Sequence, residues 1–173
     1  MANTFDKLAE YTVGSGGSAT VSFTNILSGY KDLVVYASIR QSSSSNNAYF
    51  TINAQYATGN YTDQGIYAYP ATPTIGSYEH TSAGAFQINT NNSSSTTGHF
   101  TPARFYFPNA QGSGLKAVFM ESGQIWASSS AYGFFGAGAN TGVTSTISSI
   151  EFRADAGTWV QYSYFTLYGT KSS

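Results

Sequence analysis

Apolar and polar residues alternate singly along most of this chain, the period of a β-strand with one buried face. The clearest run is 32–41, where Leu33, Val35, Ala37 and Ile39 interleave with Val34, Tyr36, Ser38 and Arg40. Shorter runs of the same kind cover 5–13, 19–25, 48–55, 104–107 and 146–153. In the last of these, Ile150 and Phe152 point inward and Glu151 and Arg153 outward. A closing strand over 159–168 carries Trp159, Phe165 and Leu167 on one parity, and Val160, Tyr162, Tyr164 and Tyr168 on the other. Breaks between runs fall at Gly14, Ser15, Gly16 and Gly17, at the polar stretch 42–47, and at Asp155, Ala156 and Gly157. These are residues that favour turns.

Two segments read less simply. Residues 115–121 and 124–128 predict a hairpin across Ser122 and Gly123, and 131–139 is a strand punctuated by Gly133, Gly136 and Gly138, which admit a bulge or a close backbone. Between 56 and 99 the pattern fades into Gly, Thr, Asn, Ser and Pro, with only Phe86–Asn89 reading as a short strand. The reading here is long surface connections, of the kind that often carry function.

Nine or ten short strands without helical periodicity predict one all-β domain over 1–173, an antiparallel β-sandwich or barrel, of which the sandwich is the reading adopted. A jelly roll is the first choice, since it accommodates eight or more strands and long loops in this length. No βαβ spacing, internal repeat or heptad competes with it.

Composition narrows the chemistry. Only 9% of the 173 residues are charged, with 7 Lys and Arg against 8 Asp and Glu, where about 25% is usual. Ser (25), Thr (20), Asn (11) and Gly (18) supply a surface made polar by hydroxyls and amides. Phosphate recognition needs clustered Lys and Arg, so nucleic acid is not an expected partner. With no Cys and two distant His, a structural metal site or cofactor is not expected either. No apolar run approaches the ~18 residues of a membrane span, so no membrane insertion is expected. The opening MANTFDKLAE has no basic or apolar signal-like stretch, giving an expectation of synthesis in a cytoplasm without export by a signal.

Catalytic constellations are sparse. Glycoside hydrolysis requires two carboxylates about 5–10 Å apart, and only Asp63 and Glu79 lie in the loop-like middle. A Ser nucleophile would need His80 or His99 as its base; Glu79 beside His80 is the most suggestive pair. A polar loop pair exposed to water is the simpler explanation of it. The Gly-rich stretches precede no helix, so neither is a phosphate cradle. The expectation is a protein without enzymatic activity.

Aromatics are in excess, with 14 Tyr, 12 Phe and 2 Trp. Phe and Trp at alternating positions are core. Tyr packs its ring and keeps its hydroxyl wet, a chemistry shared with adaptable binding surfaces. Tyr61, Tyr67, Tyr69 and Tyr78 are therefore candidate ligand- or partner-binding residues, and Tyr162, Tyr164 and Tyr168 candidate subunit contacts.

Both ends of the chain resemble a family of small virion proteins of tailed bacteriophages, common in marine and cyanobacterial phages. The resemblance rests on the run from Thr4 through Gly17, on Val21 through Ile26, and on Gly29 through Val35. At the other end it rests on Ile147 through Phe152, on Val160, Gln161 and Tyr162, and on Phe165 through Thr170. It spans roughly the first 40 and last 25 residues and carries no catalytic motif. It implies a structural β-sandwich on the particle, a capsid decoration (cement) or head-fibre protein docked on the major capsid protein or another virion protein. The alternative is a carbohydrate- or receptor-binding tail or fibre module that meets a host-surface glycan. The expected location is the virion. A homo-oligomer, a trimer by the resemblance, follows as the expected assembly, with 159–168 or 131–139 as its contact strand.

Overall fold

The computed structural model describes residues 5–69, 74–95, 97–126 and 130–171. Twelve strands form two antiparallel sheets, with no helix among the described residues. In chain order they are β1 (Phe5–Thr12), β2 (Thr20–Phe23), β3 (Asp32–Ile39), β4 (Asn47–Ile52), β5 (Tyr61–Tyr69) and β6 (Thr74–Ala83). β7 (Phe86–Asn89), β8 (Thr101–Phe107), β9 (Lys116–Trp126), β10 (Ser130–Asn140), β11 (Ile150–Ala154) and β12 (Tyr164–Thr170) follow. The large sheet runs β1-β12-β3-β8-β9-β10-β5-β6 and the small one β2-β11-β4-β7.

The strand order shows a frame and two insertions. β1-β12-β3-β8 facing β2-β11-β4-β7 is the pairing of an eight-stranded jelly roll, in which the chain's two halves wrap around each other. The other four strands are two hairpins, β5–β6 inserted after β4 and β9–β10 inserted after β8. They pair with each other and lengthen one sheet to eight strands.

Alternation places the core as expected in the frame. Leu33, Val35 and Ile39 of β3, Phe105 and Phe107 of β8, and Phe165 and Leu167 of β12 face Phe50 and Ile52 of β4 and Ile150 and Phe152 of β11, all buried. Phe50 sits at the centre, its ring 4.9 Å from Phe86, 4.9 Å from Phe105 and 5.5 Å from Phe152 between centroids. Each such ring removed from water contributes about 1.5–3 kcal/mol. Trp159 caps this cluster and donates its indole N–H to the Phe152 carbonyl at 3.3 Å.

Several sequence expectations need correction. Residues 56–99 are not mainly long connections, since β5 and β6 are among the longer strands. Their pattern is hidden because glycines alternate with tyrosines. A Cβ on Gly65 would strike the Tyr78 ring, and one on Gly76 the Tyr67 ring. Each tyrosine lies across the glycine paired with it on the neighbouring strand, the aromatic cover that compensates a glycine's missing side chain. The expected hairpin across Ser122 and Gly123 is instead one continuous strand, β9 (Lys116–Trp126), whose partner is β10; residues 127 and 128 lie outside the described residues. The inward residues of β9 are Lys116, Val118 and Met120, while Leu115 and Phe119 are exposed. The closing strand begins at Tyr164, because Tyr162 takes a left-handed φ of 71° in the preceding turn.

Candidate functional site

The outer face of the large sheet departs from the polar exterior the composition implies. Exposed there are Phe5, Tyr36, Ile66, Ile75, Phe119 and Phe135. Cross-strand register sets several of them in two adjacent rows. One row runs Tyr36, Arg104, Glu121, Phe135, Ile66 across β3, β8, β9, β10 and β5. In the next, Gly123 pairs with Gly133, Gly133 with Ala68, and Ala68 with Ile75, while Pro102 flanks Gly123.

The second row has almost no side chains, so it forms a floor between taller neighbours. The result is a trough of about 700 Å³ lined by Tyr36, Pro102, Arg104, Phe135, Ile66 and Ile75, among others. At its centre Arg104 and Glu121 form an ion pair. Both side chains are nearly half exposed, so the pair contributes about 0–1 kcal/mol to folding and can exchange partners readily. Tyr36 and Arg104 also line a second hollow of about 400 Å³, with Phe5, Asp32, Val34 and Tyr106. Here the Tyr106 hydroxyl donates to Asp32 at 3.1 Å. Burial, then the Asp32 carboxylate, holds that phenol above its ordinary range. The two hollows share Tyr36 and Arg104, and their apolar and aromatic lining carries Arg104, Glu121, Asp32 and the tyrosine hydroxyls of Tyr36 and Tyr106. This lining can stack flat or apolar groups and orient hydrogen-bonding ones, which is how mostly apolar sites bind.

The tyrosines singled out in the sequence lie elsewhere. Tyr61 is fully buried against Phe86, and its hydroxyl donates to the Gln55 carbonyl at 2.7 Å and accepts from the Ile52 N–H at 3.2 Å. It is a core residue and presents no face to a ligand. Tyr67 and Tyr78 point to the inner side, half-buried, Tyr67 stacked on Tyr132 and Tyr78 on Phe134. They hold the inserted hairpins together. The side chain of Tyr69 lies outside the described residues.

Tyr162, Tyr164 and Tyr168 do not form one patch. Tyr162 projects from its turn, Tyr164 donates to Glu10 at 3.2 Å, and Tyr168 stacks on Phe5 at 4.7 Å on the outer face. Neither proposed contact strand has a free edge: β10 lies between β9 and β5, and β12 between β1 and β3.

The acids are also separated. Asp63 pairs with His80 across the hairpin and Gln64 with Glu79, so Asp63 faces inward and Glu79 outward. They cannot share a cleft. His80 Nδ1 instead lies 3.2 Å from the buried Asp63 carboxylate. Burial raises the Asp63 carboxyl above its ordinary value, which the adjacent His80 opposes. Burial and the Asp63 charge push the Tyr78 hydroxyl far above the phenol range. His99 is half-buried near the start of β8. Among the described residues no cluster of three His, Asp or Glu could hold a metal ion.

Fold and surface together define a jelly-roll β-sandwich with an enlarged, troughed sheet face. No family model and no curated protein matches the chain. Among solved structures, a galectin, LEC-6 of Caenorhabditis elegans, is similar over 94% of this chain and 96% of its own, at 9% identity and a TM-score of 0.37.

Proposed function

We propose that the protein is a non-catalytic structural protein of a tailed-phage particle, a capsid decoration or head-fibre protein that docks by the outer face of its large sheet. One observation carries the reading. The two terminal segments that resemble phage virion proteins supply β1, β2, β3, β11 and β12, five of the eight frame strands, and β1 pairs directly with β12. The resemblance therefore falls on one coherent structural unit. The inserted hairpins, which lie outside the two resembling segments, build most of the trough and adapt the frame to a particular partner.

The exposed aromatic residues support docking, because a protein with this little charge gains by covering them. The partner on this reading is the major capsid protein or a neighbouring virion protein, and the location is the virion. Peptide mass spectrometry of gradient-purified particles tests it. The protein is expected in stoichiometric amounts after stringent washing, and its absence from particles would overturn the proposal.

A second reading, a carbohydrate- or receptor-binding module, is favoured by the trough itself. Tyr36 and Phe135 offer ring faces beside Arg104 and Glu121, a combination that can stack a sugar ring and bond its hydroxyls. Glycan-array binding abolished by Phe135→Ala, with the melting temperature unchanged, would favour this reading over a protein partner.

A further inference from the structure

The two sheets have four edges, and they are not alike. An uncovered strand presents unpaired N–H and C=O groups along its length, and proteins blunt such edges with short strands, bulges and charge. β2 and β7, the edges of the small sheet, are four residues each. β1, one edge of the large sheet, carries a register shift between Lys7 and Ala9, a Lys7–Glu10 ion pair and a contact from Lys171 to Asp6. β6, the other edge, is guarded less: it carries a single carboxylate, Glu79, and its one register shift is confined to the end between His80 and Ala83. It runs ten residues, about 30 Å at a strand's rise. Its pairing with β5 is regular from Thr74 to His80, and it contains no Pro, Lys or Arg.

We propose that β6 is a dimerisation edge, at which a second copy of this chain adds its own β6 antiparallel across a two-fold axis. The proposal does not depend on the phage reading. The chemistry of the strand selects a second copy. Antiparallel self-pairing needs a segment that tolerates its own reversal, and like charges directly opposed would forbid it. Glu79 is the only carboxylate on β6, and in any register centred on Gly76, Ser77 or Tyr78 it never opposes its own copy. Ile75, 75% exposed at the edge, is covered in the same step.

An axis perpendicular to the sheet keeps both outer faces on one side. The two eight-stranded sheets then become one of sixteen, and the two troughs, each ending at Ile75, meet at the dyad. A ligand or particle surface that engages one trough is presented with two, a geometry that multiplies weak contacts.

Mass measurement by light scattering and sedimentation over a wide concentration range tests this on the full chain. The expected species has twice the 18.4 kDa protomer mass. The variant Ile75→Lys/Ser77→Lys/Glu79→Lys opposes lysines in each register named above. All three positions are exposed, so the fold is retained, verified by an unchanged circular dichroism spectrum, and the dimer dissociation constant rises at least about ten-fold. Hydrogen exchange adds a readout independent of mass: alternate β6 amides are protected in the dimer and lose protection on dilution. A monomer at all concentrations, a trimer, or a dimer indifferent to the lysine variant would each overturn the proposal.

Discussion

Tyr61 and Asp63 stand two positions apart on the inner face of β5, and both have buried polar atoms whose satisfaction decides what a substitution does. Removing the Tyr61 hydroxyl leaves the Ile52 N–H and the Gln55 carbonyl without their partner. Tyr61→Phe is therefore expected to cost about 1–3 kcal/mol in chemical denaturation while leaving any outer-face binding intact. Loss of binding without loss of stability would return Tyr61 to the ligand site. Asp63 works in the opposite sense. Its carboxyl is raised by burial, so the neutral form suits the folded state. Stability from this group is complete below the ordinary 3.8 and is lost as pH rises through the higher folded value. Asp63→Asn keeps an acceptor for His80 without the charge. It is expected to melt higher than the parent at pH 7, with the difference vanishing by pH 3.5. An Asn variant less stable than the parent at pH 7 would show the His80 contact outweighing desolvation.

The inserted hairpins are where sequence reading and structure diverge, and the reason is physical. In the frame, apolar residues sit at every second position, so β3, β8 and β11 are legible from alternation alone, as is the inward set Ile150 and Phe152. In β5, β6 and β10 the burial signal is split between strands, with a tyrosine on one covering a glycine on the next. Alternation within one strand does not register that exchange. The trough was illegible for a related reason. Tyr36, Arg104, Glu121 and Phe135 come from four strands and meet only through cross-strand register, whereas Tyr61 is buried and Tyr67 and Tyr78 turn to the inner side of the hairpins. The glycine floor yields a direct test. A Cβ on Gly133 meets no atom within 4 Å, so Gly133→Leu fills the trough without strain. Relative to glycine it is expected to leave the melting temperature unchanged or raised, and to abolish binding of whatever occupies the trough. Undiminished binding would move the functional surface elsewhere.

For the whole molecule, the jelly-roll frame carries the stability. Phe50 contacts rings from both sheets, and Phe50→Ala is expected to cost about 3–5 kcal/mol in equilibrium denaturation; a cost under about 1 kcal/mol would place the core elsewhere. The low charge and the exposed aromatic residues leave apolar surface open on the outer face of the large sheet. On the proposed reading that surface is buried against a phage particle. Cryo-electron microscopy of the particle whose genome encodes the chain measures this most directly. The account predicts density for the twelve-stranded sandwich on the particle, with Tyr36, Phe135 and the Arg104–Glu121 pair turned toward a neighbouring virion protein. A particle lacking that density, or one that carries the sandwich with this face open to solvent and a different face docked, would contradict it.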